Sequence, residues 1–181
     1  MLSAPELGEL IRNNLTETAF RLETLDRYEV PTDGGDFARY MKGEPGPTPE
    51  RKQAWTDRLT REREAGIRRS RVHVLRTPLT DYLRFECEWG HALNTHLEDI
   101  RILDASERSL PAEVPDHDYW LIDNRLVIRM HYDDTGRFVG AEIRDDVALY
   151  RHARDVAMSA AEPFSSWWQR HPEEWRESLS K

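Results

Sequence analysis

Metal binding is the first chemistry that the residue spacing suggests, because Glu88 and His91 lie three residues apart in a predicted helix. Side chains at this spacing share one helical face, so a carboxylate and an imidazole can reach the same ion. The pair supplies only two ligands, and no second Glu-x-x-His sequence occurs in the chain. Two interpretations of this helix face stay open, a metal site and a solvated or partner-facing surface, and no cofactor is predicted.

Acid–base chemistry has three candidate residues, His73, His131 and Asp133. His131 and Asp133 come at the end of a predicted strand, where they could act with His73 in a cleft, as in a hydrolase or nuclease. Aspartate is also a common turn residue, which gives Asp133 a purely structural alternative. The chain contains no Gly-x-Ser-x-Gly sequence, no glycine-rich phosphate loop and no dinucleotide-binding fingerprint, so those enzyme classes are disfavoured.

Partner binding has a separate set of candidates in two parts of the chain. The predicted contact residues are Arg69, Arg71, Arg76, Trp167 and Trp168. Arginine and tryptophan are enriched in protein interfaces, which supports this assignment. The alternative for the arginines is exposed ion pairing with nearby glutamates. An amphipathic helix cannot bury both adjacent tryptophans, so one is expected inside and the other at the surface.

The composition is that of a protein with a hydrophobic core and a strongly charged surface. The 181 residues are 38% hydrophobic and 33% charged, with a formal net charge of −8. The acidic balance opposes general attraction to nucleic acid or anionic lipid. The sequence contains one cysteine, Cys87, which excludes an internal disulfide, and no long apolar segment, so a cytoplasmic protein without membrane contact is predicted.

Hydrophobic periodicity predicts one domain over residues 1–181 with an α/β (α+β) fold. Helices are expected at 49–65, with Thr48 as the N-cap, at 80–97 and at 146–162. They would pack on a mixed, largely antiparallel sheet of about five or six strands. Residues 1–47 would supply a helix, a strand and loops, residues 48–162 the α/β core, and residues 163–181 a tryptophan-rich segment.

Several runs of residues resemble an uncharacterised family that is common in actinomycetes. They are Phe20-Arg21-Leu22-Glu23-Thr24-Leu25, Arg69-Ser70-Arg71-Val72-His73-Val74-Leu75, Tyr82-Leu83-Arg84-Phe85-Glu86, and Met130-His131-Tyr132-Asp133 with Gly136-Arg137-Phe138. Genes of that family often lie beside helix-turn-helix regulators and small companion proteins, which implies a regulatory accessory role. A weaker resemblance is to the phospholipase D-like fold, in a version without its catalytic motif.

The function predicted from the sequence is therefore that of a non-enzymatic regulatory accessory or effector-binding protein. It would act through a protein partner, either a helix-turn-helix regulator or a small basic companion protein, and direct contact with nucleic acid is not expected. A homodimer is left open. The alternatives are a hydrolase or nuclease-like enzyme and a component of a toxin–antitoxin pair.

Overall fold

The strands of the structure form one mixed β-sheet. The computed structural model describes residues 1–29, 35–47 and 49–176. The strands in these ranges are β1 (Thr18–Glu23), β2 (Arg68–Leu75), β3 (Asp99–Asp104), β4 (Tyr119–Ile122), β5 (Leu126–Tyr132), β6 (Phe138–Arg144) and β7 (Glu162–Pro163). Their order across the sheet is β6-β5-β4-β1-β2-β3-β7. The predicted α+β fold with a mixed sheet is confirmed, and the additional strand β7 is too short to produce an alternating pattern.

Strand direction follows from the length of the connections. Strand β1 pairs with β2, and β2 with β3, in parallel, and both connections contain helices that carry the chain back across the sheet. Strands β4, β5 and β6 pair in antiparallel fashion, and β4 also pairs antiparallel with β1. The sheet therefore has a parallel centre, where β1 and β2 have neighbours on both sides.

The helices occur close to the predicted positions, with one important difference. Those in the described ranges are α1 (Ala4–Asn14), α2 (Asp36–Met41), α3 (Pro49–Glu64), α4 (Asp81–Glu86), α5 (Ala92–Asn94), α6 (Val147–Ala160) and α7 (Phe164–Gln169), with a 3₁₀ turn at Pro172–Glu174. The helix predicted at 80–97 instead consists of α4, a π-helical segment at Cys87–His91, and the single turn α5. No helix in the described part of the chain is long and apolar enough to cross a bilayer. The predicted cap Thr48 and residues 177–181 of the predicted C-terminal segment lie outside the described residues.

Helices cover both faces of the central strands. On one face, Phe20, Leu22 and Val72 pack in a buried cluster that includes Tyr150 of α6. On the other face, the β2 side chains pack against the aromatic residues of α4 and of the π-helical segment. Successive side chains of a strand point to opposite faces. The residues that alternate with Phe20, Leu22 and Val72 along β1 and β2 therefore point to the second face and are enclosed by the helices there.

The β4–β5 turn is joined to the start of β1 by one carboxylate. Asp123 has a positive φ of 48° and accepts hydrogen bonds from the backbone N–H groups of Thr16, Glu17 and Thr18 and from the Thr16 hydroxyl. The distances lie between 2.7 and 2.9 Å. Although partial burial opposes ionisation, these donors hold the pKa of Asp123 below its ordinary value.

Replacing Asp123 with alanine is expected to lower the free energy of unfolding by about 2–3 kcal/mol, from the lost acceptor and the left-handed backbone. Asparagine tolerates that backbone, so Asp123→Asn should lose only the charge-assisted part. A depressed pKa stabilises the fold above the unfolded value and loses that effect as pH falls through the folded value. In urea denaturation, the difference between wild type and Asp123→Asn should therefore shrink in acid. A difference that persists unchanged at low pH would contradict this assignment.

Candidate functional site

The parallel pairing of β1 and β2 places four ionisable side chains on one face of the sheet. Arg21 is opposite Arg71 and Glu23 is opposite His73 in the strand register. All four alternate with apolar residues that point to the other face. Arg21, Glu23 and His73 are buried, and Arg71 is largely enclosed. Burying this many charges is costly unless they pair with one another, so the arrangement requires specific partners.

The helix that covers this face supplies two further residues, Glu86 and His91. Thr80 is the N-cap of this helix, and its hydroxyl oxygen accepts a hydrogen bond from the N–H of Leu83. In a regular α-helix, residues five apart would be separated by about 140° around the axis. The π-helical segment between Glu86 and His91 has more residues per turn, which brings both side chains toward the sheet.

The same segment separates the predicted Glu88–His91 pair. Glu88 accepts a hydrogen bond from the backbone N–H of Arg176 at 2.7 Å, whereas the His91 ring lies against His73. The prediction assumed regular helical geometry, in which residues three apart share a face, and the π-helical turn removes that relation. The structure therefore groups His91 with Glu86 rather than with Glu88.

Four possible metal ligands meet at this position. Glu23, His73, Glu86 and His91 each offer one donor atom, and these atoms all lie within 4.8 Å of one another. His73 Nδ1 is 3.1 Å from His91 Nε2 and 3.8 Å from Glu86 Oε2. His73 Nε2 lies 3.4 Å from the carbonyl oxygen of Leu25. A proton on Nε2 would make that contact a hydrogen bond and leave the Nδ1 lone pair directed at the cluster.

Two arginines connect this cluster to a wider buried network. Arg71 donates to Glu23 at 2.9 Å and lies 3.4 Å from Glu98. Arg21 donates to Asp118 at 2.8 Å through Nη2, while its Nη1 atom is buried and has no hydrogen-bond partner within the described residues. The network is therefore extensively paired, and its buried atoms without a hydrogen-bond partner among the described residues are Nη1 of Arg21, Nε of Arg71 and Oε2 of Glu86.

The two glutamates of the cluster have different protonation behaviour. Burial raises the pKa of Glu86 to about 7, so this carboxyl group is largely neutral in weak acid. Burial also opposes ionisation of Glu23, but the neighbouring Arg71, His73 and Arg21 together outweigh it and lower the pKa of Glu23 to about 2. Burial, with His73 beside it, holds the pKa of His91 well below its ordinary value. His91 is thus a neutral imidazole at physiological pH, as a metal ligand must be.

A cleft of about 540 Å³ opens beside the cluster. Its charged wall includes Arg21, Glu23 and Glu86, so the cleft reaches the buried network directly. The remaining wall is mostly apolar and aromatic, with side chains from α1, α4, β5, β6 and the segment that follows β1. These include Leu7, Tyr28, Tyr82, Met130, Tyr132 and Phe138. An apolar cleft with a few convergent polar groups is the usual form of a small-molecule site.

Comparison with known proteins places the chain in a family. A protein-family model described as a domain of unknown function (DUF6879) matches residues 5–169. The chain belongs to the DUF6879 family. This confirms the predicted membership of an uncharacterised family, whereas no comparison shows a likeness to the phospholipase D-like fold. No curated protein and no solved structure matches the DUF6879 chain.

The three predicted acid–base residues of the DUF6879 chain do not converge. His73 lies in the cluster under α4, but His131 lies on the other face of the sheet, 3.3 Å from Glu142. Asp133 stands in the β5–β6 turn and accepts hydrogen bonds from Thr135 and Arg137. Strand alternation separates the two histidines, and Asp133 has the turn-forming role that was its structural alternative.

The predicted partner-binding residues divide into enclosed and accessible groups. Arg69 is buried and donates to Glu62, and Arg71 belongs to the internal network. Trp167 is fully buried, whereas Arg76 is exposed and Trp168 is half-buried. Arg69, Arg71 and Trp167 thus offer little surface to a partner in the structure, and their role in partner binding stays a prediction. Arg69 and Arg71 are enclosed because helices cover the second face of β2 as well as the first, and Trp167 is enclosed on the inner side of α7.

Three site residues of the DUF6879 chain were absent from the sequence-based candidates: Arg21, Glu23 and Glu86. A signal for two of them was present in the alternation of polar Arg21 and Glu23 with Phe20 and Leu22. Such alternation normally indicates a solvated strand face. It indicates a buried polar site only when the strand is known to be central and covered on both sides.

Proposed function

We propose that the protein is a regulatory, effector-binding protein that holds a small molecule in the cleft beside the buried cluster. This proposal rests on one observation: the wall of an apolar cleft of about 540 Å³ includes charged groups of the internal network. Small-molecule sites commonly enclose about 300–1,000 Å³. The cleft therefore has the size and the polarity of a site for one ligand.

The chemistry of the wall favours a ligand with an apolar body and an anionic or acceptor group. Nη1 of Arg21 is a buried donor without a hydrogen-bond partner among the described residues, and Arg21 lines the cleft. Leu7, Met130 and Phe138 provide the apolar surface for the rest of the molecule. A guanidinium in a poorly solvated wall forms strong, directional hydrogen bonds to carboxylate, sulfonate or phosphate oxygens.

The ligand-bound state would act on a protein partner, as the sequence resemblance implies. The net charge of −8 supports a basic partner, such as a small basic companion protein or a helix-turn-helix regulator, through electrostatic complementarity. Arg76 and Trp168 are the accessible members of the predicted contact set. They are the residues through which this part of the proposal is tested.

Filling the cleft without disturbing the network tests ligand binding. Ala4 is exposed and lines the cleft, so Ala4→Trp should occupy it with an indole. The probe is 8-anilinonaphthalene-1-sulfonate, which combines aromatic rings with an anion and is followed by its fluorescence. We expect Ala4→Trp to weaken probe binding about tenfold or more, a difference of about 1.4 kcal/mol.

The matched control is Ala148→Trp, the same substitution at an exposed residue in the first turn of α6. It adds an equal apolar surface to the protein but lies outside the cleft wall. The control should bind the probe with wild-type affinity. Equal probe affinity in wild type, Ala4→Trp and Ala148→Trp would show that the cleft is not where such molecules bind.

A further inference from the structure

The cluster of Glu23, His73, Glu86 and His91 has the donor spacing of a metal centre. Ligand atoms that surround a tetrahedral zinc at about 2.0–2.1 Å lie about 3.3 Å from each other. His73 Nδ1 and His91 Nε2 are 3.1 Å apart, and all four donors fit within 4.8 Å.

The histidines are also held as metal-binding histidines are. A ligating imidazole usually contacts a backbone carbonyl or carboxylate through its second nitrogen, which fixes the ring and its tautomer. His73 has the Leu25 carbonyl oxygen at 3.4 Å from Nε2, on the side away from the cluster. The rings of His73 and His91 are packed edge-on, and His91 is packed in the same way against Phe164. The donor nitrogen of His73 is therefore directed at the cluster before any ion binds, and ring packing restricts the orientation of His91.

The charge balance of the network favours a divalent cation. Two guanidinium groups, those of Arg21 and Arg71, face the carboxyl groups of Glu23, Glu86, Glu98 and Asp118. Glu23, Glu98 and Asp118 pair with these guanidinium groups, whereas Glu86 forms no ion pair with either of them within the described residues. A buried carboxylate without a cationic partner is costly, and a divalent ion would supply that partner.

Each of the two glutamates has one carboxylate oxygen that is available to coordinate such an ion. Oε2 of Glu86 is buried and has no hydrogen-bond partner within the described residues. Arg71 binds Oε2 of Glu23, and Oε1 of Glu23 is 3.7 Å from Arg21, which is longer than a hydrogen bond. Both glutamates also line the cleft, so a metal ion can reach the site from it.

A second group of possible ligands provides a contrast. Asp104, Glu107 and His171 also come together, but their atoms are already engaged. Asp104 accepts the indole N–H of Trp167 at 3.2 Å, and Glu107 pairs with Arg170. His171 Nδ1 lies 2.8 Å from the Trp167 carbonyl oxygen. This group is a satisfied network that secures the C-terminal segment, and it carries no comparable open donors.

We propose that Glu23, His73, Glu86 and His91 bind one divalent first-row transition metal ion, such as zinc, at the inner end of the cleft. Two imidazoles with two carboxylates suit zinc, cobalt or manganese better than magnesium or calcium, which prefer oxygen ligands alone. This site is independent of what occupies the rest of the cleft. Ala4→Trp leaves all four donors in place and should retain metal binding even where it abolishes probe binding.

The test is a zinc titration of the full chain after treatment with a chelator, measured by calorimetry. Wild type should bind one zinc per chain, with magnesium a poor competitor. Glu86→Gln preserves the size of the side chain but removes a charged ligand. It should weaken zinc binding by more than the 10- to 100-fold that is typical of losing an outer-shell partner.

Glu88→Gln is the matched control, because it is the same substitution two residues away, on a side chain that contacts Arg176. It should leave zinc affinity unchanged, as should His152→Ala at an exposed histidine. Absence of one-to-one binding by folded wild type would overturn the proposal. So would loss of binding in Glu88→Gln with normal binding in Glu86→Gln.

A second measurement uses the wild-type protein alone, so its result does not depend on whether a variant folds. In the cobalt-loaded protein, the rings of His73 and His91 should give two sets of paramagnetically shifted proton resonances. The His73 ring N–H beside the Leu25 carbonyl should exchange slowly with solvent, because His73 is 1% exposed. A cobalt complex without shifted histidine resonances would overturn the assignment.

Discussion

Replacing Asp118 with alanine is expected to lower the free energy of unfolding by about 3–5 kcal/mol, the typical effect of stranding a buried charge. The carboxylate is 2% exposed and accepts hydrogen bonds from Arg21, from the Tyr28 hydroxyl and from the backbone and side chain of Thr24. Each distance is 2.8 Å. Without it, the 3.7 Å contact to Glu23 would be the one contact of Arg21 with a carboxylate among the described residues. Urea denaturation followed by tryptophan fluorescence measures the loss.

Asp116→Ala is the control for Asp118→Ala, because it changes an exposed aspartate of the same loop. Its expected effect is within about 0.5 kcal/mol, as for most surface substitutions. The double variant Arg21→Met with Asp118→Ala should regain part of the lost stability, since it removes the stranded charge as well as its partner. A loss below about 1 kcal/mol in Asp118→Ala, or no recovery in the double variant, would contradict the buried network.

The sheet and the main helices were predictable from the sequence because their signals are local. Alternation of apolar and polar residues indicates β1 and β2, and Pro49 and Gly66 mark the ends of α3. The predicted helices at 49–65 and 146–162 agree with α3 and α6 to within two residues at each end. Such elements can be predicted from local patterns because each helix or strand buries one of its faces, and that face sets the spacing of its apolar residues.

The site was not predictable because it depends on contacts between distant segments. Only the parallel register sets Glu23 opposite His73, and they are 50 residues apart in the chain. Only the π-helical segment turns Glu86 and His91 toward that pair, whereas helical periodicity assumes a constant number of residues per turn. Strand pairing and helix irregularity are both tertiary properties, so the residues of the cluster could be seen individually but not as a group.

Replacing Trp167 with alanine should also destabilise the fold strongly, by about 3–5 kcal/mol, because it removes a fully buried aromatic side chain and leaves a cavity. Trp167 is 0% exposed, donates its indole N–H to Asp104 at 3.2 Å and stacks on His171 at 4.3 Å. The loss of the hydrogen bond would also leave the buried Asp104 with one donor fewer. Thermal and urea denaturation should agree on the effect.

Trp168→Ala is the matched comparison, since it makes the same change one residue later at a half-buried ring that stacks on Phe164. Its stability loss should be less than half that of Trp167→Ala, because part of the ring already contacts solvent. Equal losses would mean that the two tryptophans are enclosed to the same extent.

A folded Trp168→Ala, combined with Arg76→Glu, is therefore the variant that can test partner binding. If this pair abolishes capture of a basic partner while Ala148→Trp does not, the accessible residues form the contact. Unchanged capture would exclude them, and loss of binding in Trp167→Ala would report only unfolding.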